Sequence, residues 1–586
     1  MDRQAWIAVT LCVLGLLGWY TYTATHLPPP RPAIVASPTP GTAGDNQPST
    51  AAIPAASAAP APVAAATPAP VESVPAFAEK KETLANGDVE LHLTNRGGAI
   101  SEAVLLKHTV GNNGQRVVLN GPDRTPIGAI IPQPEAALLE YTMARQGDGS
   151  VQFERKTPEG LTVTKRFFFP PTPEENDNFV AEMAIDFRND GAQPYVNPAY
   201  FITLGSTQPI HPNDMSIYTR LVWCVQGKPN GVDVDWFGAG GGFLGIGQHP
   251  ARPFYRETVA SADWAAMSNQ FFTTILTPLN AKSGELWGKR IDVKRGDGQT
   301  VAGVEGAMAL PGFELKPGQI NTLRVQLYTG PKLYRRLAAL RHDEAEIMNF
   351  SNFTLLKLVS QALLNFMNLL HGWVGDYGFA IILLTACVKG VLWPLQNKAN
   401  RSMRKMATLA PKMQELKEKY KDDPTRMNQE VMKLYKQHGV NPVGGCLPML
   451  IQIPVFFGLF NMLGQVAELR NASFLWVKDL SQPDTVAEIP GLGWDINILP
   501  ILMGATNVWL MQMTPKTGDA MQRRVLMFMP LIFLIFCYNF AAALALYYTT
   551  QNLFTILQLW HNQRQPLPVE EKVVALPGKK SRKGRS

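Results

Sequence analysis

The feature that most constrains this chain of 586 residues is a series of apolar segments in its second half. Five such segments follow Pro331, and they lie approximately at 377–395, 446–463, 498–513, 525–540 and 541–560. A helix needs roughly 20 apolar residues to cross a hydrocarbon layer about 30 Å thick. The sequence therefore predicts a helical membrane bundle. Because several of the segments are short, we expect the lipid around the bundle to be thinned.

A sixth apolar segment lies near the N-terminus, from Ala5 to Tyr22, after a short head that bears Arg3. The segment has no convincing A-x-A cleavage site, which favours an uncleaved signal anchor over residues 1–26. A cleavable signal peptide remains the alternative. Residues 27–78 are rich in Pro, Ala, Ser and Thr and carry almost no charge. This composition predicts a disordered tether.

Residues 79–335 show the alternation of apolar and polar residues that is typical of β-strands. In the run FVAEMAIDF, from Phe179 to Phe187, every second residue is apolar and belongs to one face. Turn signals such as RNDG around Asp190 separate the runs, and helical patterns are scarce. The sequence therefore predicts a large β-sandwich, which lies outside the cytoplasm because it follows the signal anchor.

The positive residues, which give the chain a net charge of +7, cluster in three places. One cluster runs from Lys398 to Lys436, one comprises Lys516, Arg523 and Arg524, and the third is the tail GKKSRKGRS. Loops with an excess of Lys and Arg stay in the cytoplasm. The predicted fold is a multidomain membrane protein with six transmembrane helices, cytoplasmic termini and an extracytoplasmic all-β domain.

Two amphipathic stretches flank the first span of the bundle. Residues 336–374 form a linker that ends in FTLLKLVSQALLNFMNLLHGWV, a pattern that suits a helix in the membrane interface. Residues 396–441 predict a cytoplasmic helical hairpin, in which Asp423 and Pro424 are the N-cap and first residue of the second helix. Its methionine-rich face could close on itself or receive apolar segments of other proteins. The methionines concerned are Met403, Met406, Met413 and Met427.

Lys389 places an ammonium group inside an otherwise apolar segment. It lies about six residues, roughly 9 Å, from the predicted cytoplasmic end, so the side chain could snorkel to the headgroups. Other segments also contain polar residues, and such residues usually face a bundle interior or a wet cavity. The hypothesis that competes with snorkelling is therefore a hydrated groove. Its predicted polar lining consists of Gln452, Asn507, Gln512, Thr550, Gln551 and Asn552.

Several phrases between Phe353 and Trp560 resemble the YidC family of membrane protein insertases. They are GGCLPMLIQIPVFFGLFNML, AELR, LPILMGATN, FMPLIF and LALYYTTQNL. The anchor, the tether and a β-domain that contains WAAMSNQFF look like the Gram-negative form, whose periplasmic domain is a β-supersandwich. The chain departs from the family pattern twice. The family usually has arginine where this chain has Lys389, and often has a Pro-x-Gly turn where this chain has three alanines, residues 541–543.

The resemblance implies a membrane protein insertase and chaperone of the bacterial inner membrane, with a five-helix core at residues 375–562. Its groove would open to the cytoplasm and to lipid, Lys389 would attract acidic or polar residues of a client, and Thr385 and Tyr548 would contact that client. Expected partners are nascent membrane proteins and the Sec translocon. No enzymatic activity, cofactor or metal is expected.

The tail at residues 563–586 carries a dense positive charge. It could contact ribosomal RNA through phosphates or bind anionic lipid, and the sequence leaves both open. The residues concerned are Lys579, Lys580, Arg582, Lys583 and Arg585.

Two other functional classes remain. A transporter predicts an internal repeat of spans, and the sequence shows none. A tethered sugar-active enzyme would place its chemistry in the β-domain, where no catalytic constellation is apparent in the sequence. Asp233 and Asp235 could be a catalytic pair, but a solvated strand edge is the better interpretation. The phrase GGGFLG has the spacing of a nucleotide-binding turn, but Pro250 and Pro253 follow where a helix should open, which favours a glycine-rich loop. The five cysteines lack the spacing of a zinc site or a disulfide framework.

Overall fold

The structure is a computed structural model that describes residues 77–565, with gaps at 112–113, 172–177, 241–248, 296–297, 352, 439–441, 490–493, 515–527 and 529–530. The predicted signal anchor, the tether up to residue 76 and the basic tail from residue 566 lie outside the described residues.

Antiparallel strands fill the region where the sequence alternates, which confirms the predicted all-β domain. The strands are β1 (Lys81–Ala85), β2 (Val89–Thr94), β3 (Ala99–Thr109), β4 (Arg116–Asn120), β5 (Ile130–Ile131), β6 (Thr142–Arg145), β7 (Val151–Lys156), β8 (Leu161–Phe168), β9 (Val180–Asn189), β10 (Tyr195–Asn197), β11 (Tyr200–Thr207), β12 (Arg220–Val225), β13 (Lys228–Asp233), β14 (Phe254–Ala262), β15 (Trp264–Ser268), β16 (Phe272–Pro278), β17 (Ser283–Lys294), β18 (Thr300–Leu310), β19 (Phe313–Leu315) and β20 (Ile320–Pro331).

Two large sheets and two smaller ones make up this β-domain. One has nine strands in the order β13-β12-β15-β16-β20-β9-β8-β7-β6, and another has five in the order β14-β17-β18-β11-β5. Strands β1 to β4 form a four-stranded sheet, and β10 pairs with β19. Strands that are distant in the sequence also pair: β20, the last strand of the domain, is antiparallel to β9.

The core of the β-domain follows the period of two along its strands. In β9, Met183, Ile185 and Phe187 are buried, while the residues between them are half-buried. The Phe187 ring lies 5.5 Å from the Tyr200 ring and 4.8 Å from the Phe313 ring, measured between centroids. Tilted and edge-on aromatic contacts of this kind stabilise the interior beyond the area that they bury.

Lys165 is a charged residue within this core. Its side chain is 0% exposed, and Nζ donates hydrogen bonds to the carbonyl oxygens of Gly97 at 3.1 Å and Gly128 at 2.6 Å. Burial lowers the pKa of Lys165 from its ordinary value to about 7, because the protein interior disfavours the charged form. The amine therefore joins two turns across the domain while its charge depends on pH near neutrality.

The chain is mainly helical after β20, as the sequence predicts. The helices are α1 (Tyr334–Ala339), α2 (Thr354–Val374), α3 (Tyr377–Thr408), α4 (Ala410–Lys419), α5 (Pro424–Gln437), α6 (Pro442–Leu463), α7 (Ile498–Met513) and α8 (Ala542–Gln563). Residues 531–537 are also helical, and a short hairpin of β21 (Thr485–Ile489) and β22 (Trp494–Asn497) precedes α7.

Helix α3 is the one helix of the described residues that is both long and apolar enough to cross a membrane; residues Gln452–Leu463 of α6 and all of α7 form shorter apolar helices. The six predicted spans therefore remain a prediction. Helix α3 continues past Leu395, the predicted end of its span, to Thr408. Gln396 and Asn400 are buried polar residues of this extension.

Helix α2 corresponds to the predicted interfacial helix. Its Ser360 hydroxyl donates to the carbonyl oxygen of Gly458 on α6 at 3.0 Å, and Leu364 and Met367 are buried. Other apolar side chains of the helix are exposed, among them Leu355 and Trp373. One face therefore packs on the bundle and the opposite face remains apolar and exposed, which suits contact with lipid.

The hairpin of α4 and α5 begins its second helix at the predicted residues. Asp423 is the N-cap of α5, and its Oδ1 accepts a hydrogen bond from the backbone N–H of Arg426 at 3.0 Å. Buried Leu409 and Tyr435 form a small cluster to which Met413 contributes. The Met406 side chain also packs on this cluster, while Met403 and Met427 are half-buried. The hairpin thus closes on itself in part.

Residues 464–484, which we call the junction loop, connect α6 with the hairpin before α7 and contact the β-domain. Gln270 Nε2 donates to the Gly464 carbonyl oxygen at 2.7 Å. Arg470 Nη2 donates to the Thr109 carbonyl oxygen at 2.9 Å, and its guanidinium lies 4.7 Å from the centroid of the Phe272 ring. These contacts fasten the loop to the β-domain with hydrogen bonds and a cation–π interaction.

The same loop also contacts the beginnings of α3 and α7. Phe474 packs over Gly378 in the first turn of α3, where a Cβ atom would overlap its ring. Asp484 Oδ2 accepts from the backbone N–H of Leu499 at 2.7 Å, so it satisfies one of the free donors at the start of α7. The junction loop therefore joins the β-domain to the starts of these helices.

We predict that Gly378→Ala destabilises the protein by about 1–3 kcal/mol, the usual cost of overpacking, because the added methyl displaces Phe474. Gly390→Ala in the same helix is the matched control, since a Cβ atom added at Gly390 would meet nothing within 4 Å. Thermal unfolding of both purified variants in detergent tests this. Equal midpoints for the two variants would contradict the predicted role of the Phe474 contact.

We also predict that Lys165 makes stability depend on pH. The pKa of this group is about 7 in the folded protein and near 10.5 when unfolded, so the unfolded chain binds more protons between these values. Stability should rise with pH across this window by up to about 1.4 kcal/mol per pH unit. Lys165→Met should lose this slope. Denaturant unfolding followed by a β-domain signal at pH 6 to 9 measures it; identical slopes would refute the assignment.

Candidate functional site

Lys389 lies in the interior of the helical bundle, where it faces α8. The residue is 5% exposed, and its Nζ donates a hydrogen bond to Thr555 Oγ1 at 2.9 Å. The Thr555 hydroxyl in turn donates to the carbonyl oxygen of Gln551 at 2.8 Å. Within the described part of the chain no carboxylate forms an ion pair with Lys389, so the partner of this buried amine is an uncharged hydroxyl.

Helix α6 adds a third side to this arrangement. Gln452 Nε2 donates to Gln551 Oε1 at 3.0 Å and to the Tyr547 hydroxyl at 3.2 Å. Gln452 is half-buried, and Gln551 and Tyr547 are buried. The polar groups of α3, α6 and α8 therefore converge over adjacent turns of α8.

The polar contacts between α3 and α8 continue toward the predicted cytoplasmic side. Asn397 Oδ1 accepts hydrogen bonds from Gln558 Nε2 at 2.8 Å and from Asn562 Nδ2 at 2.9 Å. Arg404 Nη1 donates to the Asn562 carbonyl oxygen at 2.5 Å, near the C-terminal end of α8, where a positive charge is favourable. We call this set of residues the polar seam. It comprises Lys389, Asn397, Arg404, Gln452, Gln551, Thr555, Gln558 and Asn562.

Several buried atoms in and beside the seam lack a protein partner. They are the side-chain oxygens of Gln396, Gln558 and Asn562. Leaving a buried acceptor without a hydrogen bond costs about 1–3 kcal/mol, so such atoms normally bind water. The seam is therefore suited to hold water between helices whose outer faces are apolar.

The remaining residues of the predicted groove lining lie on other faces. Asn552 Nδ2 donates to Thr506 Oγ1 on α7 at 3.2 Å, so it joins α8 to α7 rather than to the seam. Asn507 is half-buried, and Gln512 near the end of α7 is exposed. Thr550 is buried on α8. The structure thus brings Gln452 and Gln551 next to Lys389 and places the other four predicted residues apart.

The two residues for which the resemblance implies client contact lie beside the seam. Thr385 precedes Lys389 by one helical turn and is therefore on the same face of α3. Its hydroxyl donates to the Ile381 carbonyl oxygen at 2.7 Å. The half-buried Tyr548 ring lies 5.5 Å from the Phe456 ring and 5.1 Å from the Phe533 ring, between centroids.

Five residues of the seam were not predicted as site residues from the sequence: Asn397, Arg404, Thr555, Gln558 and Asn562. A signal for three of them was present. Gln551, Thr555, Gln558 and Asn562 recur at spacings of four, three and four residues, which places them on one face of α8. A polar stripe on an otherwise apolar helix points to an interior contact, whereas Asn397 stands in a stretch that is polar throughout.

The carboxylates that could have supported an enzyme in the β-domain have structural partners. Asp233 Oδ1 accepts from the backbone N–H of Trp236 at 3.0 Å and so caps the 3-10 helix Val234–Phe237. Asp235 Oδ2 accepts from the Ser216 hydroxyl at 2.5 Å. Most of GGGFLG lies outside the described residues.

Comparison with known sequences identifies two family regions in the chain. Residues 82–359 match the YidC periplasmic domain, and residues 369–568 match the 60Kd inner membrane protein family. The first region contains nearly the whole β-domain, and the second contains α3 to α8 with the polar seam. Together the two matches account for most of the chain.

Curated relatives cover the chain in full or in part. The membrane protein insertase YidC of Geobacter sulfurreducens is 33% identical in an alignment 594 residues long, which covers 98% of this chain and 100% of that protein. The YidC of Syntrophobacter fumaroxidans is 37% identical over 305 residues, about half of each chain at 51% and 53%. A crystal structure of active YidC insertase with its first transmembrane domain resolved shares 18% identity and covers 82% of this chain and 92% of its own, with a TM-score of 0.33. The full-length match at this identity shows that the chain belongs to the YidC family of membrane protein insertases.

Proposed function

We propose that the chain inserts nascent membrane proteins into the bacterial inner membrane and that the polar seam is its hydrated groove. The observation that carries the proposal is Lys389, a buried amine that pairs with a hydroxyl and with no described carboxylate. A buried charge without a counter-charge is costly. An acidic group of an arriving client would supply that counter-charge, so Lys389 attracts such a group.

The first step is capture of a polar or acidic client segment from the cytoplasm. The seam extends from Lys389 to Arg404 and Asn562 at the end of α8, which gives a continuous path of polar groups. Charges attract each other more strongly at low effective dielectric than in water, so Lys389 acts over a distance that bulk solvent would screen. Capture thereby draws the segment part of the way across the membrane.

The second step is release of the client into lipid. Its apolar helix slides along the rim of the groove, past Thr385 and Tyr548, and leaves sideways. Partitioning of apolar side chains into the hydrocarbon supplies the free energy. The short apolar helices around the groove thin the membrane locally and so shorten the path of the polar segment. The junction loop covers the extracytoplasmic ends of the helices.

No covalent bond is made or broken in this scheme, so the protein acts as an insertase and chaperone and not as an enzyme. Six membrane spans, cytoplasmic termini and a periplasmic β-domain give the arrangement in which the groove faces the cytoplasm. The Sec translocon is the proposed partner for larger clients. The methionines of the hairpin and the basic tail are proposed to meet the client and the ribosome or anionic lipid, respectively.

We predict that Lys389→Arg supports insertion of a client with an acidic tail, whereas Lys389→Ala and Lys389→Glu lower it by at least tenfold. In these two variants the captured carboxylate would lack a counter-charge, which costs more than about 1.4 kcal/mol. The measurement is complementation of an insertase-depleted Gram-negative cell, with expression checked. Failure of the wild-type chain would refute the proposed function. Full activity of Lys389→Ala would leave the lysine as a snorkelling residue.

We predict that Thr555→Val weakens insertion of the acidic-tailed client several-fold, because Lys389 loses its described hydrogen-bond partner while the volume of the side chain is kept. A client with a neutral tail should be inserted normally. Thr549→Val is the matched control: Thr549 is a buried threonine of the same helix, and its hydroxyl donates to the Ala545 carbonyl oxygen at 2.8 Å. Equal behaviour of the two variants would argue against a role of Thr555.

A further inference from the structure

Helix α8 begins without a side-chain cap. Its N-cap is Ala541, which has no side-chain hydrogen-bond acceptor. The first free N–H groups are satisfied by the junction loop instead: Ala542 N donates to the Gln482 carbonyl oxygen at 2.8 Å and Ala543 N donates to the Leu480 carbonyl oxygen at 2.9 Å. The initial donors of a helix have no partner within the helix, so the loop takes the place of a capping residue.

The small side chains at the start of α8 make this contact possible. Ala542 and Ala543 are 1% and 0% exposed, and they lie directly against the loop backbone. Larger side chains in the first turn would separate the loop carbonyls from the helix N–H groups. Close contact with the junction loop therefore accounts for the small alanine side chains at residues 541–543, where the family pattern often has a Pro-x-Gly turn.

The capping segment of the loop is held by the β-domain. Gln482 Nε2 donates to Asp214 Oδ1 at 3.2 Å and also lies 3.2 Å from His211 Nδ1. The other oxygen of Asp214 accepts the backbone N–H groups of Ile210 at 2.8 Å and His211 at 2.9 Å. The side chain of Asp214 is 2% exposed, and Gln482 is half-buried.

Asp214 is held in its charged form. Burial by itself raises the pKa of this carboxyl, but hydrogen bonds and the nearby imidazole of His211 outweigh burial and leave the pKa below its ordinary value. A hydrogen bond to an ionised acceptor is stronger than one between neutral groups. The β-domain therefore holds Gln482 through a charge-assisted hydrogen bond from its side-chain amide to Asp214.

We propose that Gln482 is a positioning residue for insertion: it ties residues 210–214 of the β-domain to the first turn of α8 and so sets the position of α8 in the bundle. Thr555 lies about 20 Å further along the same helix at 1.5 Å per residue. A shift at the start of a rigid helix is transmitted to its later turns, where Thr555 meets Lys389. This inference rests on the proposed function and gives the β-domain a part in it.

The test is an exchange of donor and acceptor between positions 214 and 482. Gln482→Glu opposes two buried carboxylates, and we expect it to lower insertion of the acidic-tailed client by roughly tenfold or more. Asp214→Asn combined with Gln482→Glu restores a donor facing an acceptor with the same shape, and we expect insertion within about twofold of wild type. Gln193→Glu at an exposed site of the β-domain is the control for added charge.

Hydrogen exchange of the purified full chain gives a readout that does not depend on insertion. Peptides at the start of α8 should exchange faster in Gln482→Glu and should regain protection in the double variant. Gln482→Met, which removes both side-chain bonds without adding charge, should also exchange faster. Unchanged exchange in Gln482→Met, or a double variant as impaired as Gln482→Glu, would overturn the proposal.

Two further comparisons separate positioning from general damage. A client with a neutral tail should be inserted normally by Gln482→Glu, and the loss with the acidic-tailed client should not add to that of Lys389→Ala. Equal losses for both clients would overturn the positioning role. If Lys389→Ala inserts normally, the proposed role of the seam fails, while the exchange measurements still decide whether Gln482 holds the start of α8.

Discussion

The hydrogen bonds between the junction loop and the helix ends are the interaction on which the rest of the structure depends. The carbonyl oxygens of Leu480 and Gln482 take the first donors of α8, and the carboxylate of Asp484 takes one at the start of α7. Near a membrane such donors find little water, and an unpaired one is costly. The loop removes this cost and at the same time holds the starts of α7 and α8 in position. The β-domain holds the loop in turn, through Thr109, Gln270 and Asp214.

The bonds of the junction loop hold the helices in place, and the polar seam between the helices is the proposed site of function. Its side chains are mostly hydrogen-bonded to one another, as with Gln452 and Gln551, which keeps the cost of burial low. Lys389 is the exception, because a hydroxyl cannot neutralise its charge. A fully compensated interior would have no affinity for a client. The proposed capture of acidic segments therefore depends on this buried charge of the described seam, which no described carboxylate neutralises, and we propose that the junction loop keeps α8 aligned with it.

Much of the architecture was predictable because it follows from local periodicity. The alternation in FVAEMAIDF corresponds to β9, and Asp423 with Pro424 begins α5 as expected. The number of membrane spans is still a prediction, because α3 is the one described helix that is both long enough and apolar enough to cross a membrane. The groove was predicted only in part. Gln452 and Gln551 are linked to Lys389 through Thr555, whereas Asn552 donates a hydrogen bond to Thr506 on α7. The packing of the neighbouring helices, which the sequence does not show, determines the partner of each face of α8.

The sequence by itself determined the family, the all-β domain, the apolar helices and the lysine within one of them. These features depend on residue order over short stretches, where backbone geometry imposes a period of 2 or 3.6. Only the tertiary structure decided that Thr555 is the partner of Lys389 and that Asp214 holds Gln482, across 166 and 268 residues of chain. Contacts at such separations are set by how the sheets and helices pack. No local pattern in the sequence records them, because each side chain is compatible with many neighbours until packing selects one.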